Sequence, residues 1–553
     1  MDWLPDIHWQ RASFQQWRPK LKRRQTGRST YFHGNVLGKY FWVSMNFSLN
    51  FITFAAVAVA VIIGLSWMKL AREGFLKKRK RCAPVVGTVF HLLVNFHRVH
   101  DYMTGISAKH RTYRFLHLFR SEVYISDPAN VEYVLKTNFA NYGKGWVHYD
   151  ILTDLLGDGI FTVDGEKWQS QRKTSSFAFS TKILREFSSE VFRGNAGKLA
   201  QVVSKAAMAK RTIDVQELFM KSTLDSVFKV MLGVDLDSIG GTNEAGILFT
   251  KAFDEASALT LYRYVDIFWR IKRFINIGSE AKLRACIQVI DKFIYEIIRR
   301  KTKQVQGSLY DSLTKKGDIL SRFLESNETD PKYLKDIILS FTIAGKDTTA
   351  VTLSWFLYMM CKHPEVQEKI AQEVLEAIEV TENLSLDEIV GSISEKALDK
   401  MQYLHAALTE TLRLYPAVPV DGKLCFSDDT LPDGVSVRRG DQVAYQPYAM
   451  GRMKWLWGDD AEEYRPERWL NEDGVFQLES SFKFTAFQAG PRICLGKDFA
   501  YRQMKIFSAV LLSSFIFKLS DEQKAVNYRT MLTLQVDGGL NLRAFHRFPH
   551  KYA

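Results

Sequence analysis

The chain is short of the features that define several protein classes. Its 553 residues hold five cysteines, Cys82, Cys286, Cys361, Cys425 and Cys494, an odd number with no CxxC pair and no metal-finger spacing. This argues against a disulfide framework and for a reducing compartment around the folded body. No dinucleotide or flavin fingerprint is present, so redox chemistry would need electrons from another protein. The net charge of +14 comes without an arginine-rich or aromatic RNA-binding pattern. Nucleic acid is therefore the weakest destination for that charge, behind an anionic membrane surface and an acidic protein partner. Internal repeats and long low-complexity tracts are missing too.

Apolar material is plentiful: 46% of residues are hydrophobic, enough for one large core plus an anchor. The run 47–68 carries no charge, is apolar all round and is long enough to span a bilayer. A core helix would normally keep a polar stripe. Lys69, Arg72 and Lys77-Lys78-Arg79-Lys80-Arg81 follow it, whereas the nearest N-terminal charge is Lys39. The positive-inside rule then puts the following body in the cytosol. The expected organisation is a basic arm over 1–46, a transmembrane anchor over 47–68, a basic and Pro-Gly hinge over 69–87, and a catalytic body over 88–553. The arm has few acids and six basic residues between Arg18 and Arg28, which keeps an organelle transit segment open. The charges nearest the membrane favour an endoplasmic-reticulum anchor. Asn46, Asn327 and Asn383 begin N-x-S/T triplets, and on a cytosolic body the last two go unused.

Strand patterns occupy 112–119 and 122–126, ended by Asp127-Pro128, and amphipathic helix dominates 182–300. Asp330 as N-cap and Pro331 at the first position start a long helix that runs to Lys362-His363-Pro364, about 48 Å. Short strands are expected at 435–437 and 443–445 around Arg439-Gly440-Asp441. The sum is a mainly α domain with small β-sheets.

The most informative stretch is Phe487-Gln488-Ala489-Gly490-Pro491-Arg492-Ile493-Cys494-Leu495-Gly496. Glycines beside a cysteine let backbone pass close to a flat macrocycle. Free N–H groups and the positive end of the following helix can favour a thiolate. Arg492 is a fixed cation able to meet a haem propionate. A thiolate ligand to haem iron favours O–O cleavage, which implies oxygen activation. A lone cysteine here would read as an ordinary buried residue before a core helix; the whole F-x-x-G-x-R-x-C-x-G arrangement says more.

The long helix carries Ala344-Gly345-Lys346-Asp347-Thr348-Thr349. At 100° per residue Ala344, Gly345, Asp347 and Thr348 share one side and Lys346 points to the other. Gly345 costs about 1 kcal/mol relative to alanine, which a flat cofactor or dioxygen in the groove would offset. A threonine bonded back one turn bends a helix and makes room for water. An acid beside an alcohol can then relay protons. The plain alternative is a tolerated glycine with a surface Asp-Thr pair.

The cysteine segment resembles that of cytochrome P450 haem-thiolate monooxygenases, and the likeness runs from about Pro84 almost to the C-terminus. It implies a cytochrome P450 fold behind a single N-terminal transmembrane helix, with haem as cofactor and Cys494 as the iron ligand. Phe487, Gly490, Arg492, Gly496, Ala344 and Gly345 would border the haem, with Asp347 as the acid and Thr348 as the oxygen-positioning alcohol. The W-x-x-x-R pair Trp168 and Arg172 would join Arg492 on the haem carboxylates. Glu410, Arg413 and the P-E-R-W arginine Arg468 would form a buried scaffold. Asp154-Leu155-Leu156-Gly157-Asp158-Gly159-Ile160-Phe161 and the blocks 403–423 and 484–504 look like the plant branch that hydroxylates long-chain fatty acids at the ω carbon. Some members of that branch supply cutin or pollen-wall lipids.

The implied partners are O₂, a fatty-acid substrate, membrane lipid and an NADPH-dependent reductase, with the body on the cytosolic side of the endoplasmic reticulum. Phe341, Ile343 and Val418-Pro419-Val420 read as apolar pocket walls or as core. Lys167, Lys173, Arg492 and Lys497 are expected to give a basic face to an acidic reductase. The alternatives are a haem-thiolate isomerase or dehydratase acting on lipid peroxides, and a non-catalytic haem sensor or lipid carrier.

Overall fold

Local chemistry sets several of the helix starts. In a computed structural model of the protein, Asp330 has extended dihedrals and accepts the N–H of Lys332, with Pro331 in the first turn. Asp214 likewise accepts the N–H groups of Gln216 and Glu217. The structure describes residues 83–116, 121–179, 182–307, 318–325, 330–379 and 385–548, together with Gly64. The expected arm and anchor, most of the hinge, and Asn46, Asn327 and Asn383 lie outside the described residues. Among the described residues no helix is long and apolar enough to cross a membrane.

The helices that matter to the site are α1 (Gly145–Leu156), α2 (Gly165–Phe179), α3 (Lys182–Met208), α4 (Val215–Leu232), α5 (Glu244–Tyr262), α6 (Trp269–Ile275), α7 (Gly278–Gly307), α8 (Pro331–Lys362), α9 (Gln402–Leu414) and α10 (Lys497–Ser514). The expected helical stretch 182–300 is thus α3 to α7. α8 is continuous and buried over most of its length, in a core shared with α4, α7 and α10. Edge-on aromatic contacts join four of these helices. Phe179 of α2 meets Phe341 of α8 at 5.1 Å and Phe499 of α10 at 6.1 Å, and Phe499 meets Phe192 of α3 at 4.8 Å.

One sheet has six strands: β1 (Val85–Thr88), β2 (Thr112–Leu116), β3 (Ser121–Ile125), β4 (Tyr142–Gly143), β5 (Asp421–Cys425) and β6 (Gln442–Tyr445), in the order β1-β2-β3-β6-β5-β4. β1 and β2, and β3 and β6, pair parallel; the other neighbours are antiparallel. Asp127 ends β3 and at the same time caps a short helix from Pro128. The strands expected around Arg439-Gly440-Asp441 both form, but in different sheets. Ser436–Val437 pairs with Asp429–Thr430, whereas β6 lies between β3 and β5. Gly440, at φ +86, carries the chain from one sheet to the other. The four described cysteines are free thiols.

Candidate active site

The cysteine loop is a tight turn ahead of α10. Phe487 accepts the Cys494 N–H at 2.9 Å and Gly490 that of Ile493 at 3.0 Å. Gly490 has φ +64, and a Cβ there would overlap the carbonyl oxygen of Leu135. Neighbouring backbone therefore already requires glycine here. At Gly496 an added Cβ would meet Cys494 Sγ alone, at an ordinary 3.9 Å, so no protein contact demands glycine. The Gly496 N–H instead bonds the sulfur. Phe487 packs its ring 5.2 Å from Tyr501 of α10.

Cys494 is exposed. Burial of the sulfur's surroundings pushes the thiol up, and the Gly496 N–H, Arg172 and Lys497 pull it down without prevailing. A coordinated metal ion would decide the balance for the thiolate, since it deprotonates a thiol outright.

Arg492 is buried. Its Nη2 donates to Asp164 Oδ1 at 2.6 Å and to the Val163 carbonyl at 3.1 Å, and the guanidinium lies over the Trp168 indole at 4.3 Å. Its Nε is buried with no hydrogen-bond partner. Arg172 sits close enough to act electrostatically on both Cys494 and Arg492, and burial lowers its proton affinity. Among the described residues it has no hydrogen bond or ion pair. Sequence spacing placed Trp168 and Arg172 on one helix; the fold adds Arg492 and Cys494 to them.

One further cation was not anticipated. Lys423 on β5 is buried and pairs with Asp421 at 2.7 Å; Asp421 also takes Lys144 at 2.9 Å and the Tyr445 hydroxyl at 3.1 Å. Burial lowers Lys423 to about 7, with Lys144 and Arg492 adding to the fall and Asp421 opposing it. The backbone N–H groups of Lys144 and Gly145 bond Asp164, the partner of Arg492. The two acid–base pairs are thereby tied together. A lysine inside a short apolar strand was the signal in D-G-K-L-C. Arg172, without a partner among the described residues and near an exposed cysteine, a half-satisfied Arg492 and a crowded Lys423 near Arg492 suit the two carboxylates of a haem.

Midway along α8, Ile343, Ala344, Gly345 and Thr348 are partly exposed although Phe341, Thr342, Lys346, Asp347 and Thr349 around them are buried. A gap therefore opens on this stretch. The Thr348 hydroxyl donates to the Ala344 carbonyl, as expected, and Thr223 of α4 donates to the Lys346 carbonyl at 3.0 Å. Gly345 faces α4: an added Cβ would stand 2.7 Å from Val227 Cγ2, so close helix packing accounts for glycine there. One expectation is corrected. Lys346 does not point away from Asp347. Its Nζ lies 2.7 Å from Asp347 Oδ1 and 2.6 Å from Asp254 Oδ1. A buried ammonium needs partners, and its four-carbon chain reaches them. Burial opposes its charge, but the two carboxylates prevail and raise its proton affinity.

The scaffold forms as expected. Glu410 takes Arg413 Nε at 2.7 Å and Nη2 at 2.8 Å, Arg468 Nε at 2.8 Å and Trp469 Nε1 at 2.9 Å. Arg413 also donates to the carbonyls of Gly451, Ala461 and Glu463. Phe341 belongs to the aromatic joint and is core, whereas Val418 and Val420 are exposed. Lys167 and Lys173 are on the surface, Lys167 paired with Asp158. Arg492, being buried, cannot be part of a docking face.

Residues 79–540 match the cytochrome P450 family. The chain is 47% identical over 522 residues to Cytochrome P450 704C1 of Pinus taeda, covering 91% of this chain and 99% of that protein. It is 44% identical over 515 residues to Cytochrome P450 704B1 of Arabidopsis thaliana, covering 87% and 98%. Against Cytochrome P450 94A2 of Vicia sativa it is 36% identical over 479 residues, covering 84% and 91%.

Proposed function

The chain belongs to the cytochrome P450 family of haem-thiolate monooxygenases, which draw NADPH-derived electrons through a reductase, and on that premise we propose that it hydroxylates long-chain fatty acids at the ω carbon. The observation that carries the site assignment is the exposed Cys494 in a glycine-bearing loop, beside Arg172 without a partner and Arg492 with one unpaired N–H. Haem held there would supply the activation of dioxygen, favoured by a thiolate ligand. Cys494 Sγ would ligate the iron. Arg172, Arg492 and Lys423 would hold the carboxylates, with Trp168 stacked behind Arg492. Ala344 would leave room for the cofactor on the α8 side, and Phe487, Gly490 and Gly496 would shape the loop that offers the sulfur. Asp347 would hold a proton for Thr348 to pass on.

The fatty-acid reading is supported by the likeness of residues 154–161, 403–423 and 484–504 to the plant ω-hydroxylase branch. Partly exposed Ile343 and exposed Val418 and Val420 offer apolar surface that would fit an acyl chain. Cutin or pollen-wall lipids are the proposed destination of the product. A membrane setting is supported by exposed Ile267, Phe268, Ile271 and Phe274 alternating with Arg270 and Arg273 at and before α6. With 47–68 as a single-pass anchor, residues 88–553 would form the catalytic body on the cytosolic face of the endoplasmic reticulum.

The test is reconstitution of the full chain with a reductase and a panel of fatty acids, with products read by mass spectrometry. NADPH- and O₂-dependent ω-hydroxy products are expected. Conversion of lipid peroxides without NADPH would instead indicate an isomerase or dehydratase. Tight haem binding with no product would indicate a carrier or sensor. The reduced, carbon-monoxide-treated protein should show the red-shifted Soret band of a thiolate ligand, and Cys494→Ser should abolish it.

A further inference from the structure

A second cavity, of about 300 Å³, borders α8 away from the cysteine loop. Asp254 and Ser257 of α5, Glu217 at the start of α4, Arg529 of the strand Tyr528–Arg529, and Lys346 and Asp347 of α8 line it. Of the residues assigned above to the haem and the relay, Asp347 is the one it reaches. The Ser257 hydroxyl is buried in this wall and has no protein partner, which calls for water in a cavity that has room for several molecules.

The ionised groups of this wall are graded in exposure. The Asp254 side chain is 51% exposed, Asp347 10% and Lys346 2%, with the lysine ammonium within hydrogen-bond reach of both carboxylates. Lys346 cannot itself be the proton carrier, because losing its proton would leave the buried Asp347 facing a second anion without a cation. It is a positioning residue whose one ammonium holds two acids, one wet and one nearly dry.

We propose that this chamber is the port through which solvent protons reach Asp347, with Asp254 as its outer acid. The inference rests on the relay reading of Asp347 and Thr348 given under Proposed function. One proton moves at a time and no electron moves. A chamber hydronium protonates the Asp254 carboxylate and becomes water. Neutral Asp254 then protonates a bridging water as that water gives its own proton to Asp347. Asp254 is left anionic for the next transfer. Burial raises the proton affinity of Asp254, Lys346 lowers it and Asp347 raises it, so the carboxyl can be occupied. The other charged groups facing it are Glu217, Arg529 and Asp214, and Asp214 is engaged in capping α4.

The experiment compares the full-length holoenzyme with Asp254→Asn, Asp254→Glu, Asp347→Asn and Thr348→Ala, each reconstituted with reductase and fatty acid. Asp254→Asn should lower product per NADPH several-fold, raise hydrogen peroxide release to match, and increase the solvent deuterium isotope effect on product formation at least twofold. Carbon-monoxide spectrum and substrate-induced spin shift should stay as in the parent, and Asp254→Glu should restore coupling. Wild-type coupling and isotope effect in Asp254→Asn, with Asp347→Asn or Thr348→Ala still uncoupled, overturns the port and keeps the relay. Wild-type coupling in all of them removes the relay as well. If Asp254→Asn does not take up haem, Ser257→Leu, which fills the chamber, decides the matter: loss of coupling supports the port and full coupling overturns it.

Discussion

Arg492 lies over the indole of Trp168 at 4.3 Å while its Nη2 reaches Asp164, leaving Nε buried and unpaired. This arrangement needs a planar, forked cation. Lysine offers a single point charge and stacks less well. Arg492→Lys should therefore weaken haem retention by about 1–3 kcal/mol, the scale of one charge-assisted hydrogen bond. Haem occupancy after dilution checks this, and unchanged occupancy would remove Arg492 from the carboxylate group.

Glu410 compensates two buried guanidinium groups and the Trp469 N–H at once. Removing it leaves uncompensated charge in the core, at a cost of about 3–5 kcal/mol. Glu410→Ala should yield little soluble, haem-loaded protein, and Glu410→Gln only partial recovery. Because Cys494 lies on a different segment, a thermal melt should fall together with the Soret band and not after it.

His405 of α9 stacks on Tyr501 of α10 at 4.3 Å and 17°. Burial, with Lys505 and Lys497 adding, lowers its pKa to about 3. The unfolded chain, with histidine near 6.5, then binds more protons than the folded one between about pH 6.5 and 3. The folded state is fully favoured above pH 6.5 and loses about 1.4 kcal/mol per pH unit from this group as pH falls. His405→Phe should flatten the acid limb of the stability curve between pH 6.5 and 5, measured by denaturant unfolding.

Much of the site could be read from the chain wherever local chemistry decides. Asp330-Pro331 starts α8 by capping alone, and the Glu410 and Arg413 pair is set by one helical turn. Residues whose reasons lie far along the chain were not legible. A helical wheel fixes where the Cβ of Lys346 points but not where a four-carbon chain ends, and its partner Asp254 is on another helix. Gly490 answers to the Leu135 carbonyl and Gly345 to Val227, neither of which neighbours them in sequence. Lys423 drew no reading from the sequence, because Arg492, which it lies near in the fold, is far along the chain.

The close approach of Gly345 to Val227 has its own test. Gly345→Ala gains about 1 kcal/mol of helix propensity but overpacks against Val227, at about 1–3 kcal/mol. The net should be destabilising in thermal unfolding, and Val227→Ala in the same chain should relieve it. If the glycine served the cofactor instead, shortening Val227 would not help.

Thr348 donates its hydroxyl hydrogen to the Ala344 carbonyl, so its oxygen lone pairs face the gap beside α8 and its proton is released only by rotation. Thr348→Ala keeps the helix, whose turn is also held by Thr352 bonding the Thr348 carbonyl at 2.8 Å. Haem content, carbon-monoxide spectrum and substrate spin shift should therefore stay as in the parent. NADPH oxidation should continue, but product per NADPH should fall about tenfold or more, the scale of a lost general acid, with hydrogen peroxide making up the balance. Thr348→Ser keeps the hydroxyl without the methyl and should recover most of the coupling. Recovery by Thr348→Val instead would show that bulk, and not the hydroxyl, is what position 348 contributes.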